Sequence, residues 1–194
     1  MDNFLRANVC GTQSGYTVCF PATQKLADNT TQINPYYDFS AQQSVWTYTF
    51  TIDTGSKKFN HWQLGICSSI EDKDDFTIER SDDGGTTFSS ISGFQILTAG
   101  YLRINESGNP DTSIIFRITI VNSSYYNLAA EAGPIILTVT STDYTFDTSY
   151  DISTPSINCN IITPPQPPRG ITIDDTIKME KLLKSSITAN HNSQ

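Results

Sequence analysis

Charge is scarce in this chain. Asp, Glu, Lys and Arg make up 16% of its 194 residues, against about a quarter in an ordinary soluble domain. The shortage falls mainly on the basic side. Twelve Lys and Arg face 20 Asp and Glu, for a net charge of −8. A nucleic-acid backbone demands a Lys/Arg footprint, so no nucleic-acid partner is expected. Long apolar runs are also missing. None approaches the roughly 18 residues of a membrane-crossing helix, so no membrane span is expected. The opening "MDNFLRANVCGTQSG" has no apolar core of the kind a secretion leader carries, and no signal peptide is visible. Histidine is limited to His61 and His191. No G-x-S-x-G elbow, H-E-x-x-H pair or phosphate-cradling G-x-x-x-x-G-K occurs. The expectation is a protein that is not an enzyme, with no catalytic residue and no cofactor.

Cysteine is sparse but present, at Cys10, Cys19, Cys67 and Cys159. No two form C-x-x-C, which argues against a zinc ribbon. Four thiols allow three pairings within one chain. Bonds between copies are a further option, and buried free thiols are the plain alternative. Carboxylates gather at Glu71, Asp72, Asp74 and Asp75, then at Asp82 and Asp83, with Asp143, Asp147 and Asp151 spaced by four. Oxygen ligands suit calcium, yet the spacing of a calcium-binding EF-hand loop is absent. These read as solvated acidic loops, and no metal is expected.

What the chain does have is Ser, Thr, Asn and aromatic residues in β-like patterns. "SVWTYTFTI" (44–52) alternates strictly, with Trp46, Tyr48, Phe50 and Ile52 on one face. "GYTVCF" (15–20), "FNHWQLGIC" (59–67), "TSIIFRITIV" (112–121) and "GPIILTVTST" (133–142) read as further strands. "GFQILTAGYLRI" (93–104) reads as two short strands about Gly100, and "YTF" (144–146) and "SINCNII" (156–162) could add two more. Residues 21–43 read as loop. No helix is expected before residue 170. The fold class is therefore mainly β: an antiparallel β-sandwich or jelly roll.

The domain plan follows from shifts in composition. Residues 1–15 read as a flexible N-terminal arm carrying Cys10, and 16–162 as the sandwich domain. "TPPQPPRG" (163–170) reads as a stiff Pro-rich linker. In 171–194 the period changes: Met179, Leu182, Leu183 and Ile187 share a face, which reads as a short C-terminal helix.

Residues 76–91, "FTIERSDDGGTTFSSI", read as two strands around a tight turn, since Asp and Gly supply the positive φ that such turns need. Ser81, Asp83, Gly85, Thr87 and Phe88 also fill the pattern S-x-D-x-G-x-T-aromatic, which resembles the Asp-box. In such boxes the carboxylate accepts turn N–H groups and the aromatic anchors the loop, so the resemblance implies an architectural role. Sialidases repeat the box and clamp a substrate carboxylate with arginines; this chain has one box and five scattered arginines. Tyr36, Tyr37, Tyr125 and Tyr126 are candidates to stack on sugar rings, although alternating strands place most aromatics in a core.

"VWTYTFTI…FNHWQLGIC" followed by "LAAEAGPI" resembles a β-sandwich domain of bacterial secreted and surface proteins. There a T-Y-x-x-x-V strand leads to S-H-W-x-L-x-hydrophobic-C, and a later strand carries K-A-G…G-P. Here Asn60 replaces the Ser, and Glu131-Ala132-Gly133-Pro134 is a compressed form of the later element. The resemblance spans about residues 44–160 and implies an extracellular, non-enzymatic module without naming a ligand. In architecture the chain is also similar to endospore appendage subunits, which are made without a signal peptide and cross-link into fibres. That likeness implies a self-assembling subunit of a bacterial surface or spore appendage fibre, placed outside the cell or on the spore. Its partners would be copies of itself, joined by strand augmentation and by intersubunit disulfides from Cys10 or Cys19 to Cys67 or Cys159. The alternative is an adhesin or carbohydrate-binding module that takes host or matrix glycans.

Overall fold

A computed structural model describes residues 7–140 and 147–163. The chain divides into a unit of Met1–Ile162 and a unit of Thr163–Gln194. The strand expected at 144–146, the linker beyond Thr163 and the helix expected in 171–194 lie outside the described residues.

The described part of the first unit is built of strands. In chain order they are β1 (Val9–Gln13), β2 (Tyr16–Phe20), β3 (Thr23–Lys25), β4 (Thr31–Ile33) and β5 (Tyr36–Asp38). Next come β6 (Gln43–Ile52), β7 (Phe59–Gly65), β8 (Phe76–Ser81), β9 (Ser89–Ile91) and β10 (Phe94–Leu97). The last are β11 (Tyr101–Ile104), β12 (Thr112–Ile120), β13 (Leu128–Thr140) and β14 (Asp147–Ile161). The only helical turn among the described residues is a 3-10 turn at Lys73–Asp75.

These strands form an antiparallel sandwich. The larger sheet runs β1-β2-β6-β12-β8-β9, with β5 added beside β6; the smaller runs β10-β11-β7-β13-β14. β3 and β4 make a separate hairpin. The core lies between the two main sheets. β6 turns Trp46, Tyr48, Phe50 and Ile52 inward, each no more than 2% exposed. β12 faces the same space with Ile114, Phe116, Ile118 and Ile120, and β7 answers from the other sheet with Trp62 and Leu64. Trp62 packs within 4.7 Å of Phe50 and 5.0 Å of Phe116, centroid to centroid. Each such ring contributes about 1.5–3 kcal/mol by leaving water.

The N-terminal arm expected over 1–15 is corrected by β1. Val9–Gln13 pairs with β2 along its whole length, opposite Phe20 to Tyr16. Residues 21–43 are likewise not all loop, since they hold β3, β4 and β5. Their polar sequence has a physical reason. Along one side of β6, β2 pairs with Thr49–Ile52 and β5 with Gln43–Val45, which leaves Thr47 without a strand partner there. The side chain of Asn34 fills that place. Its amide donates to the Thr47 carbonyl at 2.8 Å, and its oxygen accepts the Thr47 N–H at 3.0 Å. Gln24 does similar work, donating to the Val45 carbonyl at 2.7 Å and accepting the Thr47 hydroxyl at 2.6 Å. Both amides are buried, so this part of the sheet is completed by side chains.

Candidate functional site

The turn after β8 is densely hydrogen-bonded. Gly84 and Gly85 hold φ of +74° and +87°, backbone conformations that side chains resist. One Asp83 oxygen accepts the backbone N–H groups of Thr86 and Thr87 at 2.9 and 3.0 Å and the Ser81 hydroxyl at 2.7 Å. The other accepts the Thr87 hydroxyl at 2.7 Å. Ser81, itself buried, accepts the Gly85 N–H at 2.9 Å. The Thr87 hydroxyl and these N–H groups hold the Asp83 carboxyl far below the usual carboxylate range. A carboxylate so engaged has little capacity left for a ligand.

Phe88 departs from the expected anchor. It does not enter the core. Its ring lies 3.9 Å beneath the Arg117 guanidinium. Arg117 is 6% exposed and pairs with Glu79 at 2.7 Å across β8 and β12. The turn thus closes over a salt bridge on the outer face of the larger sheet. Beside it Arg80 pairs with Asp82 at 2.7 Å and Glu106 at 3.0 Å.

The cysteines overturn the expectation of bonds between copies. Cys10 is bonded to Cys19 and Cys67 to Cys159, all within one chain, and no free cysteine remains. The reason is register. β1 folds back on β2 so that Cys10 lies directly opposite Cys19, Cα atoms 4.1 Å apart. Cys67 follows β7 and meets β14 at Cys159, with a Cα separation of 4.7 Å. An arm read as flexible is therefore tied to its own sheet, and spacing in the sequence held no sign of it.

The tyrosine platform is corrected as well. Tyr37 stacks on Phe39, meets Trp46 edge-on and donates its hydroxyl to the Leu128 carbonyl at 2.6 Å. Burial raises its phenol above the ordinary tyrosine range. Tyr126 is buried, with Phe39 set edge-on against it. These two rings are spent on packing and are not offered to a sugar. Tyr36 and Tyr125 are half-buried, and Tyr125 rests against the core.

The acidic loop also has internal uses. Asp72 caps the 3-10 turn by accepting the Asp74 N–H at 2.9 Å, and Asp75 accepts the Asn122 amide at 2.8 Å. Among the described residues no group of three His, Cys, Asp or Glu is placed to hold a metal ion. No helix among them is long and apolar enough to cross a membrane. A shallow groove does run along the seam between β1 and the β13–β14 ladder, lined by Val9, Ala130, Ala132, Thr154 and Pro155.

The sandwich margins are the features sequence reasoning only sketched. β14 is 15 residues long and, among the described residues, lies outermost in its sheet and pairs as a strand with β13 alone. Next to the groove, β1 packs on it without joining the ladder: a Cβ added at Gly11 would fall 2.5 Å from the Ser153 carbonyl. Farther along, Cys159, Asn160 and Ile161 are exposed, and Asn158 is half-buried.

The chain matches no protein-family profile and no curated protein. Among solved structures it is similar to the crystal structure of the RrgA Jo.In complex, at 12% identity and a TM-score of 0.36, over 73% of this chain and 85% of that one.

Proposed function

We propose that this chain is a non-enzymatic structural subunit of an extracellular assembly on a bacterial or spore surface, joined to copies of itself by strand addition. The observation that carries the reading is the free margin of β14. Among the described residues β14 is outermost; β1 packs on it near Ser153, and the Pro155 carbonyl and Asn160 N–H have side-chain partners. The rest of its outward peptide groups are a template for an extended segment of another copy. Its exposed stretch, Cys159–Ile161, lies beyond the part that β1 packs on. Contact of this head-to-tail kind propagates as a filament or closes as a ring. Two disulfides within one chain favour oxidising surroundings, hence a place outside the cytosol. The sequence resemblance of residues 44–160 to bacterial surface sandwiches agrees with that.

Because both disulfides are internal, the assembly is held by noncovalent pairing. Light scattering and negative-stain electron microscopy across a concentration series test this. Multimers that persist under non-reducing denaturation-free conditions, and that fall at least tenfold in Asn158→Pro, are expected. Proline removes an N–H at a position where the β13 register already shifts, so the sandwich should survive it. A chain that stays monomeric at every concentration overturns the proposal.

A further inference from the structure

We propose that the Cys10–Cys19 bond is an exchange site for small thiols, and that opening it frees β1 from the sheet. β1 is outermost in the larger sheet and hydrogen-bonds only to β2. It contributes no side chain to the core: Val9 and Gly11 are half-buried, while Cys10, Thr12 and Gln13 are exposed. It meets β14 through the bare backbone at Gly11 and, beside the groove, through the half-buried Val9. Apart from the ladder, an exposed hydroxyl pair between Thr12 and Thr17 at 2.9 Å is its other tie to β2. The disulfide is therefore the covalent fastening of a strand held otherwise by its ladder, the packing on β14 and the Asn8 side-chain oxygen that accepts the Ala22 N–H.

The two bridges differ in what must leave when a thiolate attacks. Cys159 is exposed, but its bonded partner Cys67 is 4% exposed and belongs to the core cluster. Attack at Cys159 would expel a thiolate into apolar surroundings, where the charged form is disfavoured. At the other bridge Cys10 is exposed and Cys19 is half-buried on the face of β2 opposite Tyr16, Val18 and Phe20. There the leaving thiolate meets solvent.

The step balances without an added oxidant. The thiolate of a small thiol such as glutathione attacks Sγ of Cys10 and forms a mixed disulfide. The Cys10–Cys19 bond breaks, its electron pair goes to Cys19, and that thiolate takes a proton from water. A second thiol then attacks the mixed disulfide, leaves on Cys10 a thiolate that protonates, and departs with the first as the oxidised dimer. The 4.1 Å Cα separation marks Cys10 and Cys19 as a pair that does not exchange hydrogen bonds. Their neighbours Tyr16 and Val18 then direct their N–H groups at β1 and lose those bonds when it leaves.

The full chain in native buffer is treated with glutathione, quenched by alkylation and mapped by mass spectrometry. Cys10 and Cys19 are expected to react at least tenfold faster than Cys67 and Cys159, with the glutathione adduct on Cys10. Amide exchange at Tyr16 and Val18 should then rise at least tenfold, while Trp46–Ile52 keep their protection. The double variant Cys10→Ser/Cys19→Ser should show the same rise with no thiol added. Equal reactivity of the two bridges, or Tyr16 and Val18 amides as protected after opening as before, overturns the proposal. Oligomeric state does not enter these readouts, so the outcome is independent of the assembly reading.

Discussion

Asp83 and Asn34 show how single polar side chains do backbone work in this protein. Asp83 gathers the N–H groups of its turn, and its carboxyl is depressed by them and by the Thr87 hydroxyl. A depressed carboxyl stabilises the fold above the ordinary range near 4, and that contribution is lost as pH falls through the folded-state value. The thermal midpoint of the native protein should therefore drop on acidification below about pH 4. In Asp83→Asn, measured by circular dichroism, the acid limb should be flatter and the midpoint at neutral pH lower. An unchanged acid slope would refute the assignment. Asn34→Ala strips both partners from the buried Thr47 peptide. Leaving those groups unpaired should cost about 2–3 kcal/mol, roughly 5–10 °C for a domain of this size.

At the level of elements, the outer face of the larger sheet depends on the order Glu79, Arg117, Phe88. Arg117→Ala removes a buried guanidinium and strands the Glu79 carboxylate and the Phe88 ring together. Glu79 is 23% exposed in its side chain, so the loss should be about 2 kcal/mol, below the 3–5 of a fully buried pair. Urea unfolding measures it, and a midpoint within error of native would show that the turn closes without the pair. The same elements mark what the sequence could tell. β6 was legible because one of its faces is wholly buried and its alternation is strict. The turn at 81–88 was legible because two glycines and a flanked carboxylate have few other uses. β1 was not legible, since a strand that buries no side chain leaves no periodic trace. Nor were β3 to β5, whose bonds to β6 come partly from the amides of Gln24 and Asn34. The tyrosines misled for a related reason: a pair of adjacent aromatics does not say which face of a short strand is covered.

For the molecule as a whole, the bridges set how the unfolded chain is confined. The Cys67–Cys159 bond spans 92 residues and should contribute about 4.6 kcal/mol through loop closure, while Cys10–Cys19 spans 9 and contributes about 2.6. Cys67→Ser/Cys159→Ser should accordingly lower the denaturant midpoint further than the Cys10→Ser/Cys19→Ser pair; the reverse order would mean that local strain or residual structure outweighs confinement. The longer bridge has another effect, on what a proteolytic cut can do. It brackets β8 through β13 and every surface loop among them. A protease that nicks the chain once inside that bracket produces two fragments that stay covalently attached until a reductant arrives.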